Sequence, residues 1–185
     1  MPTERVVTGM DKQLPPKDDP IWTAARGFVT RDDEGVLKLV NGGQEAARVK
    51  VTGDQTDGQL SLLAFDVAPG FGNRAHAHGA ESEAFYVASG EFRFLNGNRT
   101  FEAGPGDFIY VPKNTRHGFK NLSSEIGKLL VFYSPAGAEQ FFLKYGDDPD
   151  PAGNPPPAWT PEKFAEIAGA LDAHHMIMLP DEDWG

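Results

Sequence analysis

Between Val36 and Tyr133 the chain never runs long without a breaker: short β-prone segments alternate with Gly, Pro, Asn and Asp. That punctuation leaves no room for a helical bundle and suits an antiparallel all-β sandwich or barrel. The pattern predicts strands at Val36–Val40, Arg48–Thr52, Gln59–Val67, Arg74–His78, Glu83–Ala88, Glu91–Leu95, Arg99–Glu102, Asp107–Val111, Arg116–Lys120 and Lys128–Tyr133. Ser89-Gly90 and Asn96-Gly97-Asn98 read as hairpin turns, since glycine and asparagine accept the positive φ that such turns need.

After Tyr133 the pattern turns helical. Ser134 is placed to cap, Pro135 to occupy the first helical position, and Gly146 to end a segment containing Phe141, Phe142 and Leu143. Asp147–Trp159 holds five prolines, cannot pair as a central strand, and reads as an extended connector. Thr160-Pro161-Glu162 then opens a second short helix to about Leu171, with Phe164, Ile167, Ala168 and Leu171 on one face. The expected organisation is a β unit over 1–146 and an appendage over 147–185 that packs on it, with no internal repeat.

Composition narrows the classes of function. The 185 residues suffice for one domain with its own core. Asp and Glu number 27 against 17 Lys and Arg, a formal net charge of −10, which argues against a phosphate-binding surface and so against nucleic acid. With no cysteine, disulfides, thiolate ligands and a cysteine nucleophile are excluded. The first twenty residues lack an apolar h-region and no stretch is apolar enough to span a bilayer, so a soluble, cytoplasmic protein is expected, with no membrane partner.

The chemistry lies in three of the five histidines. His76 and His78 are separated by one residue, and in a strand residues i and i+2 share a face, so both imidazoles can reach one ion. Glu83 then comes from the next strand and His117 from a third. Imidazole nitrogen with carboxylate oxygen suits a first-row divalent ion (Fe, Ni, Mn, Co, Cu or Zn) and leaves its identity open. The bland alternatives are solvent-facing histidines and an exposed strand carboxylate. Against the latter, Phe85 and Val87 share the face of Glu83, and a carboxylate on an apolar face needs a cation or a hydrogen-bond partner. Glu81 is a second-choice carboxylate. His174 and His175 are adjacent, cannot face one site together, and read as surface or packing residues. Among Phe65, Phe92, Phe94, Phe119 and Phe132, some are expected to line the interior around the metal, with the register left open.

Read as spacing, Gly70, His76, His78, Glu83 and Gly90 stand five, one, four and six residues apart, and Gly106, Pro112, Asn114, His117 and Asn121 five, one, two and three apart. These resemble the two motifs of the cupin superfamily. The second departs at Asn114, where the family usually has glycine; asparagine tolerates left-handed backbone, so the turn is expected to survive. The resemblance implies a jelly-roll or conical β-barrel with His76, His78, Glu83 and His117 around one metal. The run Val51–Gly58, the segment Glu83–Val87 and Ser134–Gly137 leading into Phe141-Phe142 are similar to bacterial single-domain cupins of the quercetin dioxygenase-like kind.

That resemblance implies an oxygenase acting on a small aromatic or enol substrate, with dioxygen as co-substrate and Glu83 as ligand or general base. Cupins share a site while differing in reaction, so redox-neutral isomerisation, epimerisation, cyclisation or lyase chemistry stays open, as does a module that only binds a small molecule. The resemblance further implies a homodimer, to which the N-terminal forty residues would lend a strand.

Overall fold

The computed structural model describes residues 16–24 and 27–179. The head of the expected β unit, 1–15, lies outside the described residues, as do 25–26 and 180–185. After a helical turn α1 (Pro20–Thr23), all ten expected strands are present: β1 Val36–Val40, β2 Glu45–Val51, β3 Ser61–Val67, β4 His76–His78, β5 Ser82–Ser89, β6 Phe92–Asn96, β7 Arg99–Ala103, β8 Phe108–Val111, β9 His117–Asn121 and β10 Gly127–Ser134. Two helices follow, α2 (Glu139–Tyr145) and α3 (Pro161–Ala170), and then an eleventh strand, β11 (Met176–Met178).

The strands form two antiparallel sheets, six-stranded in the order β1-β2-β3-β10-β5-β8 and five-stranded in the order β11-β4-β9-β6-β7. Among the described residues no strand pair joins the two into a closed ring, so of the two forms expected the jelly-roll sandwich is the one present. Alternation decides which side chains lie between the sheets. Along β3 and β10, Leu63, Phe65, Val67, Leu129 and Val131 are buried, and Phe85, Phe92, Phe94 and Phe119 meet them from both sheets. These rings pack edge-on or tilted, Phe85 against Phe119 with centroids 5.8 Å apart. Truncating Phe85 to alanine would cost about 3–5 kcal/mol. Phe132 is the exception among the candidates: it alternates out of phase with Val131 and Tyr133 and lies on the outer face.

At the C-terminal end one expectation is corrected and one unforeseen strand is added. Ser134 does not cap a helix: it closes β10, held in the ladder opposite Ser82, and Pro135 precedes the helix. The cap of α2 is Ala138, with no side-chain hydrogen bond, while the buried Glu139 carboxylate accepts from the Gly137 and Gly53 N–H groups at 2.7 and 2.9 Å. The unforeseen strand is β11. Met176–Met178 adds to the edge of β4, pairing Met176 with His78 and Met178 with His76. A strand of three residues has no readable period, so only its pairing partner makes it one.

The helices close over the sandwich. Phe142 meets Phe65 at 5.2 Å between centroids, and Ile167 and Leu171 join the buried core. Thr160 caps α3 as its spacing predicts, accepting from the Lys163 N–H. Phe164 stays 42% exposed, its ring against Trp159 rather than on the core.

Candidate metal centre

His76 and His78 leave β4 on one side, as the one-residue spacing requires, and His117 stands directly opposite His76 in the β4–β9 pair. Glu83 comes from β5 in the facing sheet. The four side chains are buried, and one nitrogen or oxygen atom from each lies within 4.8 Å of the others. All four sequence candidates are thus brought together. Asn114, on the turn before β9, has φ +63°, the left-handed backbone expected of this turn, which asparagine tolerates.

Hydrogen bonds set the face each imidazole presents. The Nδ1 of His76 lies 2.7 Å from the Arg74 carbonyl and that of His117 2.8 Å from the Thr115 carbonyl, so each donates from Nδ1 and turns Nε2 inward. Nε2 of His117 is 2.6 Å from Oε2 of Glu83, and Nε2 of His78 is 3.3 Å from the same oxygen. Burial alone would raise the Glu83 carboxyl; the hydrogen bond from His117 and the close imidazoles of His117 and His78 outweigh it and hold that carboxyl well below the ordinary range. Burial would lower His117, yet its contact with Glu83 raises it. His76 has no such partner at hydrogen-bonding distance, and burial, with His117 and His78 nearby, pushes it down to about 3.

The donor set fits a first-row metal on its own chemistry. Glu83 and His117 share a proton between two atoms that would both be ligands, and both ring nitrogens of buried His78 lack a hydrogen-bond partner. Orphaned polar atoms in a dry interior are costly, and a cation at Nε2 would satisfy one of the two. Three nitrogens and one oxygen leave positions open on a six-coordinate ion.

Two buried residues, Tyr133 and Glu45, escaped the reading of the sequence, and Glu81, its second-choice carboxylate, also lies beside the centre. Tyr133, in the apolar run Leu129–Tyr133, pairs with Glu83 across β10–β5, and its ring lies 5.4 Å from that of His78. Burial, and then the Glu83 charge, raise its phenol well above the usual range, so it keeps its proton. Glu81 is buried beside His78, and Glu45 is buried on β2. Tyr133 and Glu45 lie outside both motifs and are placed by pairing across the fold, whereas Glu81 lies within the span of the first motif, three residues after His78.

Residues 63–133 match the cupin domain family. The chain is 30% identical to quercetin 2,3-dioxygenase of Bacillus subtilis (strain 168) over 120 residues, which is 65% of this chain and 35% of that protein. The chain therefore spans about a third of the length of that relative. Among solved structures, KdgF from Halomonas sp. superposes with a TM-score of 0.55 at 18% identity, covering 62% of this chain and 98% of that one. The polyketide cyclase RemF from Streptomyces resistomycificus gives 0.50 at 23%, covering 58% and 78%.

Proposed function

This chain carries a cupin domain over residues 63–133, and on that premise we propose that it is a metal-dependent dioxygenase of a small aromatic or enol-containing substrate. The observation that carries the proposal is the buried cluster of three imidazoles and one carboxylate, on a chain with 30% identity to a quercetin 2,3-dioxygenase. His76, His78, Glu83 and His117 would hold the ion. A bound first-row metal supplies Lewis acidity and, for redox-active ions, access to dioxygen chemistry.

The chain's own residues do the rest. Nδ1–H bonds to the Arg74 and Thr115 carbonyls fix the tautomers of His76 and His117, so neither ring must reorganise to donate from Nε2. Glu83 is ionised within the cluster and is the group placed to take the proton of a substrate hydroxyl. Tyr133, protonated beside it, offers a hydrogen to a carboxylate or an enolate oxygen. Phe85 and Phe119, buried behind His117, exclude water from that side.

The test is oxygen uptake and substrate loss by metal-loaded protein on a panel of flavonols and other enols, run with and without air. Uptake matched to substrate loss supports the dioxygenase. Equal turnover without oxygen assigns the site to redox-neutral chemistry of the cyclase or isomerase kind.

A further inference from the structure

The three imidazoles of the centre are not held alike. His76 and His117 each rest Nδ1 against a backbone carbonyl two residues upstream, at 2.7 and 2.8 Å. His78 has no hydrogen bond at either ring nitrogen, although it is buried. What faces its Nδ1 is Oε2 of Glu81, 3.9 Å away, and that oxygen is itself buried without a hydrogen bond. Two unsatisfied polar atoms facing one another in a dry interior are each expensive, and a movement of about 1 Å would join them at the length of a charge-assisted hydrogen bond.

We infer that Glu81 is the positioning residue for His78, accepting a hydrogen bond from its Nδ1–H and thereby committing Nε2 to the metal. The inference rests on the metal-centre reading above and adds a role that the ligand motif does not contain. A carboxylate behind an imidazole raises its basicity more than a carbonyl does, so His78 becomes the strongest nitrogen donor of the three. The surroundings hold Glu81 in place. A Cβ on Gly137, in the loop between β10 and α2, would come within 3.0 Å of Glu81 Oε1, and Gly137 has φ +147°, which suits glycine. Beside the His78–Glu81 turn, the Gly79 N–H donates to the His175 carbonyl at 2.7 Å, which ties the entry to β11 against it. Both the loop and the C-terminal strand therefore bear on the wall behind His78.

The experiment compares the unsubstituted protein with Glu81→Gln and Glu81→Asp, using cobalt(II) and zinc(II) as probes. Metal affinity is measured by chelator competition, and exchangeable imidazole N–H protons by NMR of the cobalt-loaded protein. Glu81→Gln, which keeps the shape, is expected to weaken binding about 10- to 100-fold, with a smaller loss for Glu81→Asp. One of the three shifted N–H signals, that of His78, should move or be lost to exchange while those of His76 and His117 persist. Glu45→Gln, which removes a buried carboxylate outside the four-residue cluster, should leave all three signals and the affinity unchanged. Unchanged affinity in Glu81→Gln overturns the inference, and so does weakened affinity with all three signals intact, which would mark Glu81 as packing alone. Failure of the unsubstituted protein to bind cobalt or zinc overturns the metal centre itself, and this inference with it.

Discussion

Glu83 and Glu45 lie on the inner face of the same six-stranded sheet, in β5 and β2, and both are cut off from water, at 2% and 8% exposure. Around Glu83 stand His117 and His78. Glu45 pairs with Val40 and Val67 and sits one alternation from Ala47, and its carboxylate takes part in no hydrogen bond or ion pair among the described residues. Burial pushes both carboxyls up. At Glu45 nothing answers it, and the group rises to about 7; at Glu83 the imidazoles reverse it. The wall of the sandwich imposes the same cost on each, so partners alone decide which carboxylate stays charged.

The strongest way to break that contrast is to remove the partners. His78→Ala and His117→Ala should each take a chain that binds about one first-row ion close to none, as elemental analysis after dialysis would show. Full metal retention in both variants would dissolve the centre.

Next in size is Glu83→Gln, which keeps a possible oxygen ligand and removes the charge. At full metal loading its turnover on a substrate that the unsubstituted protein consumes should fall about a hundred- to ten-thousandfold. Undiminished turnover would leave Glu83 at most a ligand and end its role as base.

Glu45 supplies the opposite arm. Below pH 4.5 it is protonated folded and unfolded, so it costs nothing; between 4.5 and about 7 the unfolded chain ionises first and stability falls. Above pH 7 the cost is constant, about 3 kcal/mol for a shift from 4.5 to about 7. Glu45→Gln should therefore stabilise the protein at pH 8 by roughly that amount and leave it unchanged at pH 4, by denaturant titration at both values. A gain that is equal at the two pH values would show that the group carries no charge penalty.

The smallest effect belongs to Tyr133→Phe, which removes the phenol beside Glu83 while keeping the ring against His78. One hydrogen bond to a charged group is worth about 1.5–3 kcal/mol, so a loss of about ten- to a hundredfold in kcat/KM is expected, with metal content unchanged. Kinetics indistinguishable from those of the unsubstituted protein would place all the control of Glu83 with the imidazoles.

Much of this centre is readable along the chain because its rules are local. Two histidines one residue apart on a strand must share a face, and a left-handed turn favours glycine or asparagine, as at Asn114 with φ +63°. Breakers recur where ladders end, so ten strands can be placed to within a few residues. The helix start at Ser134 was misplaced because a capping pattern is also local, and the ladder from Tyr133 and Ser134 to Glu83 and Ser82 overrules it.

By itself, then, the sequence determined the strand pattern, the four side chains that come together in one cluster and the backbone turns that present them, all set by periodicity and backbone sterics over a few residues. The tertiary structure alone decided that the two sheets stay separate, that Phe132 faces outward, and that Met176–Met178 pairs with the strand bearing two of the histidines. It also decided that Tyr133 and Glu81 flank the centre while Glu45 is buried without a partner. Burial, register and charge environment are sums over residues far apart in the chain, and no local spacing encodes them.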